Sequence, residues 1–242
     1  MIKYNLESSG MTDVGLKREV NEDAIFVDDA LGLWVVADGM GGHENGAFAS
    51  KTAVDGFRNW QLPQSFDEAV EAVAQRIHEI NTRLVRISKE NDVGQMGTTI
   101  VALLIRNERF AIIWVGDSRA YIFRRGGLFQ LSVDHTHVQD LVDNGLLSLS
   151  EAEHHPMGHV LTRALGVQDD VQVDVVQDLV ETGDRFLLCS DGLTGPVNNE
   201  HIRELVSQGA GSIVTKSLIN AAYAGGAPDN VSVILVMAER AY

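Results

Sequence analysis

The sequence is poor in cysteine and has no stretch of low complexity. Its one cysteine, Cys189, excludes an intramolecular disulfide, and its position within an apolar run indicates a buried core thiol rather than a nucleophile. A single cysteine suits a reducing compartment. Because no low-complexity linker divides the 242 residues, the chain is interpreted as one domain over residues 1–242.

Positive charge is also scarce, since 19 Lys and Arg stand against 34 Asp and Glu and the formal net charge is −15. This balance argues against nucleic acid or an anionic membrane as the main partner. No stretch approaches the roughly 20 apolar residues of a membrane span, and the N-terminal sequence MIKYNLESSG lacks the apolar core of a signal peptide. We therefore expect a cytoplasmic protein that acts without nucleic acid or membrane. We also expect it to be a monomer.

Acidic residues recur beside apolar runs. Residues 33–37 are apolar and predict a buried strand, after which Asp38-Gly39 opens a glycine-rich turn that leads into a helix over residues 44–60. An acid beside a predicted strand is found again at four further places: Glu22 with Asp23, Asp117, Asp191 and Asp229. If these strand ends meet at one edge, the acids lie together.

A cluster of carboxylates with few cations nearby is electrostatically costly unless protons or metal ions neutralise it. Hard oxygen ligands favour magnesium, manganese or calcium over zinc. A structural alternative stays open at this point, because Asp-Gly after a strand is by itself a common turn signal.

Arg18 stands five residues before Asp23, which allows either an anion-binding role beside the acids or a solvated surface position. Five of the eight histidines fall in a polar stretch, residues 134–166, that contains short helical pieces. They are His135, His137, His154, His155 and His159. Because no cysteine accompanies them and no pair has the spacing of a helical metal motif, a surface subdomain is favoured over a zinc site.

The rest of the chain mixes strands and helices. A capping box at Ser65 and Glu68 predicts a helix to about residue 91, with one apolar stripe facing a core. Residues 97–131 predict a β-meander with hairpin turns at 107–108 and 126–127. Further strands, two amphipathic helices and a last strand follow. Because strands and helices do not alternate regularly, the pattern predicts an α+β layered sandwich rather than a doubly wound sheet.

Six short motifs follow one another along the chain. They are ED at 22–23, DGMGG at 38–42, GTT at 97–99, GDSR at 116–119, SDG at 190–192 and DN at 229–230. In this order they resemble the metal-dependent type 2C serine/threonine protein phosphatases, in the bacterial single-domain form. The resemblance implies a four-layer αββα sandwich, with two central, mainly antiparallel β-sheets flanked by helices and a flap subdomain at about residues 134–166.

The resemblance also implies a set of metal ligands. Asp38 would bridge two manganese or magnesium ions. Asp23 and the Gly39 carbonyl would serve one ion, and Asp191 and Asp229 would serve the other.

Three further residues receive roles from the same resemblance. Glu22 would act through a metal-bound water, and Asp117 would help Asp191 to hold a third, weaker ion. Arg18 matches the arginine that binds the substrate phosphate, for which its planar, bidentate donor group is suited.

The implied reaction is hydrolysis of phosphoserine and phosphothreonine in proteins, by direct attack of a water or hydroxide that bridges two cations about 4 Å apart. The implied partners are phosphorylated proteins and a bacterial Ser/Thr kinase that the enzyme opposes.

One departure from the family pattern concerns the acid that protonates the leaving alcohol. Family members from animals carry a histidine directly after the first DG, where this chain has Met40, and His43 is not at the same position. The general acid is therefore left unassigned.

Two other classes of protein fit part of this pattern. A catalytically inert phosphoprotein-binding module on the same fold would be favoured by loss of a metal-ligating acid, but every matching acid is present. An acidic calcium-binding protein predicts an ion loop such as DxDxDG, which the sequence lacks. The phosphatase is the favoured interpretation.

Overall fold

The computed structural model describes residues 4–42, 44–91, 94, 96–152 and 155–241. Its strands are β1 (Tyr4–Asp13), β2 (Asp23–Asp28), β3 (Leu33–Met40), β4 (Gly97–Thr98), β5 (Ile100–Arg106), β6 (Arg109–Val115), β7 (Arg119–Arg124), β8 (Gly127–Gln130), β9 (Asp174–Leu179), β10 (Asp184–Cys189) and β11 (Val231–Arg240). Its helices are α1 (Glu44–Asp55), α2 (Phe66–Asn91), α3 (His137–Asp143), α4 (Leu149–Ala152), α5 (Asp191–Thr194), α6 (Asn199–Val206) and α7 (Gly211–Ala224).

The strands form two antiparallel sheets. The first, called the β11 sheet, has the spatial order β1, β11, β10, β7, β8. The second, called the β3 sheet, has the order β2, β3, β5, β6, β9, with β4 paired to the end of β3. Strands that are distant in sequence, such as β1 and β11, are therefore neighbours in space.

Alternate side chains of β3 show how the layers pack. Leu33, Val35 and Ala37 lie in a core shared with α1 and α2. Trp34 and Val36 lie in a second core between the two sheets. Because both faces of the strand are buried, its sequence is apolar without alternation. A third core lies between the β11 sheet and helices α6 and α7, so the predicted α+β four-layer αββα sandwich is confirmed.

The predicted long helices are present with adjusted ends. The helix predicted from Ser65 occupies Phe66–Asn91, and its apolar stripe is buried. The helix predicted over residues 44–60 instead ends at Asp55, because residues 56–59 form turns in which Asn59 takes a positive φ of 53°. None of the helices in the described ranges is long and apolar enough to cross a membrane.

The strand that carries Asp38 is longer than predicted. β3 continues through Asp38 and Gly39 to Met40, because its last two residues pair with β4. The turn predicted at Asp38-Gly39 therefore starts at Gly41. Asp38 lies inside the strand, directly opposite Asp23 of β2, so ladder hydrogen bonds hold its backbone on both sides of the strand.

The strands predicted over residues 97–131 and the hairpin turn at 107–108 are found, and the second hairpin turn lies at 125–126 rather than 126–127. The single β-meander predicted there is wrong, because the chain passes from one sheet to the other at residues 116–118. β5 and β6 belong to the β3 sheet, whereas β7 and β8 belong to the β11 sheet. Gly116 at this crossing has a φ of 108°, and a Cβ there would come within 2.6 Å of the Thr99 Cβ. The crossing places Asp117 on the connection between the two sheets.

Residues 134–166, called the flap below, follow β8. The flap contains α3 and α4 and is closed by a β-bridge between Thr136 and Leu161. A second bridge, between Leu165 and Thr98, joins its end to β4. The short helices and polar character predicted for this stretch are found.

We expect Gly116→Ala to lower the free energy of unfolding by about 3 kcal/mol or more, because it adds a clash to an unfavourable backbone conformation. Gly183→Ala is the matched control, since Gly183 has a φ of 88° but a Cβ there would meet no atom of the described residues within 4 Å, apart from its chain neighbours. Gly183→Ala should lower the free energy of unfolding by only about 1–2 kcal/mol. Equal urea denaturation midpoints for the two variants would contradict the tight fit at the crossing.

Candidate active site

The acids predicted from the sequence meet in a solvent-open cleft of about 480 Å³ beside the flap. The predicted site residues that line it are Arg18, Glu22, Asp38, Gly39, Asp117, Asp191 and Asp229. Met40 and the flap residues His159 and Arg163 line it as well. Of the predicted site residues, Asp23 is not part of the lining. Segments from both sheets and the flap therefore contribute to one cleft.

Asp38 is held by two threonines whose role the sequence interpretation missed. Its backbone N–H donates to Thr99 Oγ1 at 3.1 Å, and its carbonyl oxygen accepts the Thr99 N–H at 2.8 Å and the Thr98 hydroxyl at 2.9 Å. Both threonines are buried. The GTT motif thus fixes the backbone of the central acid, and a pair of hydroxyls at a strand start is the signal that could have indicated it.

Asp23 lies beneath the cleft rather than in its wall. Its side chain is buried, and its Oδ2 accepts a hydrogen bond from Ser190 Oγ at 2.7 Å. Ser190 in turn accepts the backbone N–H of Ser232 at 3.0 Å. The serine of the SDG motif therefore positions Asp23, while the next residue, Asp191, faces the cleft.

Arg18 forms an ion pair with Asp229, with 2.7 Å between Arg18 Nη2 and Asp229 Oδ2. The guanidinium side chain is 49% exposed at the rim of the cleft. The sequence placed Arg18 beside Glu22 and Asp23, but its partner comes from the far end of the chain. Arg18 also lines the cleft, so a ligand there could reach its guanidinium.

Asn230 is a buried residue whose role was also missed. Its Oδ1 accepts the backbone N–H of Glu22 at 2.8 Å, and its Nδ2 donates to the carbonyl oxygens of Val14 at 2.9 Å and Val20 at 3.0 Å. These bonds join the loop that carries Arg18 and Glu22 to the start of β11. The pairing of a loop Asp with an Asn before a strand is the available sequence signal.

Burial and mutual repulsion raise the pKa values of the acids. Burial, followed by repulsion from Asp191, raises the pKa of Asp117 to about 8. Burial is also the main reason that the pKa of Asp23 rises to about 7. The pKa of Asp38 lies well above its usual value through burial and repulsion from Asp23, and the pKa of Asp191 is raised by burial and by Asp229. The acids are thus difficult to ionise together.

The donor set fits divalent cations that prefer oxygen ligands. Asp23 Oδ1 is buried and accepts no hydrogen bond from the described part of the chain. Within the described residues, no three His, Cys, Asp or Glu side chains are gathered closely enough to form a ready-made metal shell. The fit therefore rests on the chemistry of the donors and on their convergence on one cleft.

Histidines contribute little to the cleft. His159 lines it, with 3.8 Å between its Nδ1 and Asp191 Oδ2, but its side chain is 84% exposed. His43 and His154 lie outside the described residues. Met40 lines the cleft and carries no transferable proton. Among the residues that the structure describes, the general acid therefore stays unassigned.

A sandwich of two antiparallel sheets, with carboxylates and the arginines Arg18 and Arg163 around a shared cleft, is typical of a class, the metal-dependent hydrolases that act on anionic substrates. The sequence profile of the family described as protein phosphatase 2C matches residues 17–220. The chain belongs to the protein phosphatase 2C family. The family resemblance predicted from the six motifs is confirmed.

Individual relatives agree with this assignment. The serine/threonine phosphatase stp of Listeria monocytogenes is 37% identical over 239 residues, covering 93% of each chain. The serine/threonine protein phosphatase PstP of Mycobacterium tuberculosis is 34% identical over 231 residues, covering 95% of this chain but only 44% of PstP. The solved structure of PppA, a key regulatory component of T6SS in Pseudomonas aeruginosa, superposes with a TM-score of 0.91 at 38% identity, covering 98% of this chain and 99% of PppA.

The raised pKa values predict how pH affects the stability of the metal-free protein. Between about pH 4 and pH 8 the folded state holds protons on Asp23 and Asp117 that the unfolded state releases, so stability falls as pH rises through this window. In chelator, the melting temperature should be lower at pH 8 than at pH 5. Manganese should raise the melting temperature at pH 8 and have little effect on it at pH 5. At pH 8 a cation reduces the repulsion among the carboxylates, whereas at pH 5 bound protons already do so.

Asp38→Asn tests the origin of this effect, because it removes one negative charge while keeping the volume of the side chain. The decrease in melting temperature between pH 5 and pH 8 should be smaller in this variant. Asp67→Asn, at an exposed site on α2, is the matched control. Asp67 pairs with Arg109 at the surface, with 2.9 Å between Arg109 Nη1 and Asp67 Oδ1, and because such exposed ion pairs contribute little to stability the control should behave like wild type. An identical pH dependence in all three proteins would show that the acid cluster is not its cause.

Proposed function

We propose that this protein is a metal-dependent protein serine/threonine phosphatase in which residues 1–242 act as a single phosphatase domain. The observation that carries the proposal is the convergence of four cleft aspartates from separate segments, with an arginine at the rim. These are Asp38, Asp117, Asp191 and Asp229. The names and lengths of the relatives support it, above all the Listeria protein that matches over nearly its full length.

The residues that would hold divalent ions are those implied by the family motifs. Asp38 would be shared by two ions, with the Gly39 carbonyl and Asp23 toward one of them. Asp191 and Asp229 would serve the other, Glu22 would act through water, and Asp117 with Asp191 would hold a third, weaker ion. A solved structure of the PstP catalytic domain contains two manganese ions, with a TM-score of 0.88 at 31% identity over 98% of this chain and all of that chain. We propose manganese or magnesium for this chain too.

When bound, the ions would lower the pKa of a coordinated water toward neutrality and offset the charge of the phosphoryl oxygens. The residues of the chain position the metal ligands and bind the substrate. Thr99 and the β-ladder hold the Asp38 backbone so that its carboxylate stays directed into the cleft. Arg18 binds the phosphate of the substrate through its planar donor group. Burial and repulsion from neighbouring carboxylates raise the pKa values of Asp38 and Asp191, so a bound cation would stabilise their ionised forms.

We propose phosphorylated proteins as substrates and a bacterial Ser/Thr kinase as the opposing enzyme, within the cytoplasm. An inert binding module is disfavoured, because every acid that the mechanism uses is present, and all of these acids except the buried Asp23 line the cleft together with Arg18.

Hydrolysis of a phosphothreonine peptide should require manganese or magnesium and cease in chelator. Asp38→Asn should lower kcat at least about a thousandfold, because it removes the charge that the two ions would share. The circular dichroism spectrum should stay that of wild type, and Asp67→Asn should retain full activity. Turnover by metal-free protein, or a near wild-type rate in Asp38→Asn, would overturn the two-metal mechanism.

Arg18→Ala should raise KM for the phosphopeptide about tenfold or more, with a smaller change in kcat, because it removes charge-assisted hydrogen bonds to the phosphate. Arg18→Lys keeps the charge but not the bidentate geometry, so its KM should lie between those of wild type and Arg18→Ala. Steady-state kinetics at saturating manganese measures both. An unchanged KM in Arg18→Ala would place Arg18 outside phosphate binding.

A further inference from the structure

A buried histidine joins the flap to the turn that carries Asp117. His135 is 5% exposed and lies at the beginning of the flap. Its backbone N–H donates to the Gly116 carbonyl oxygen at 3.0 Å, and the Gly116 N–H donates to His135 Nδ1 at 3.1 Å. This reciprocal pair of bonds holds the backbone immediately before Asp117 against the backbone and the side chain of one residue.

The other side of the ring contacts the start of β9. His135 Nε2 lies 3.1 Å from Asp174 Oδ2, and Arg163 Nη1 donates to Asp174 Oδ1 at 3.3 Å. The His135 carbonyl oxygen also accepts the Thr162 N–H at 2.9 Å. A single residue therefore touches the Gly116 turn, the returning end of the flap and the β3 sheet.

The hydrogen bonds define the tautomer and the charge of the His135 ring. Because the Gly116 N–H is a donor, His135 Nδ1 must be the acceptor, and the ring proton is on Nε2, where it faces Asp174. The ring is neutral in this arrangement, and burial lowers the pKa of His135, in agreement with that state. The contact between Arg163 and His135 Nε2 then joins two donors, so the hydrogen bond of Arg163 goes to Asp174.

The opposite side of the turn rests on the threonine that holds Asp38. Gly116 packs against Thr99 so closely that a Cβ would clash with it. Thr99 Oγ1 is 2.7 Å from Ser118 Oγ and accepts the Asp38 N–H. The turn is thus held between Thr99 and His135, and a continuous set of contacts leads from Asp38 to the flap.

We propose that His135 is a positioning residue that sets the place of the Asp117 carboxylate in the cleft and couples it to the flap. This inference rests on the proposed function for its effect on catalysis. The positioning itself is a property of the chain without metal or substrate.

Two substitutions separate the contacts of the ring. In His135→Asn the side-chain oxygen takes the place of Nδ1 and still accepts the Gly116 N–H, but nothing reaches Asp174. In His135→Gln the amide nitrogen takes the place of Nε2 and reaches Asp174, but no acceptor faces Gly116. The two variants have closely similar polarity, so they differ mainly in which contact they keep.

In metal-free protein, hydrogen exchange of the Gly116 amide should be about tenfold faster in His135→Gln than in wild type and little changed in His135→Asn, as expected for loss of one buried hydrogen bond. In a manganese titration, the weakest-bound ion should bind about tenfold less tightly in His135→Gln, while the two tighter ions are unaffected. For a phosphothreonine peptide, kcat should fall while KM changes little. His135→Asn should retain wild-type values in both assays.

Two further variants serve as controls. His155 also lies in the flap and its Nδ1 also accepts a backbone N–H, from Met157 at 3.2 Å. His155→Gln should therefore leave Gly116 exchange and manganese binding unchanged. Asp117→Ala should lose the weakest ion altogether with normal Gly116 exchange, because it removes the carboxylate but not the turn.

Wild-type exchange at Gly116 in His135→Gln, or equal effects of the Asn and Gln variants, would overturn the positioning role. Exchange is measured without metal or substrate, so it decides this point independently of catalysis. If wild-type protein hydrolyses no phosphopeptide with manganese or magnesium, the proposed function fails instead.

Discussion

Repulsion among carboxylates that are gathered around one cleft is the constraint on which the rest of the structure depends. Burial and neighbouring charges raise the pKa values of Asp23, Asp38, Asp117 and Asp191. A chain free to rearrange would separate these groups. They remain together because each is fixed through its backbone to a strand or a strand end, and the large buried cores of the sandwich supply the free energy that holds those strands in place.

Neutral polar residues, rather than cations, organise the cluster. Thr99 fixes the backbone of Asp38, Ser190 binds the Asp23 carboxylate, and Asn230 joins the Glu22 loop to β11. A cationic partner at each position would compete with metal ions for the carboxylates. Hydroxyl and amide groups position the acids without neutralising them, which preserves their attraction for a divalent cation. Arg18 is the exception, and its ion pair with Asp229 lies at the exposed rim.

The two sheets and the flap meet where the chain changes sheets. The Gly116 turn packs against Thr99 on one side and is hydrogen-bonded to His135 on the other. It carries the acid that the family motifs associate with a third ion. The geometry at this crossing therefore depends on the packing of both sheets and on the position of the flap. A change in the flap would alter the cleft through these contacts.

The sequence alone determined the long helix over Phe66–Asn91, the layered α+β class, the family and the acids of the cleft, because hydrophobic periodicity and short motifs are local properties of the chain. Tertiary structure decided the rest. The extension of β3 past Asp38 depends on pairing with β4, the division of the predicted meander depends on which sheet each strand joins, and the partner of Arg18 is 211 residues away. Buried contacts such as those of Asn230 and His135 arise between segments distant in sequence, and no local pattern specifies which segments will meet.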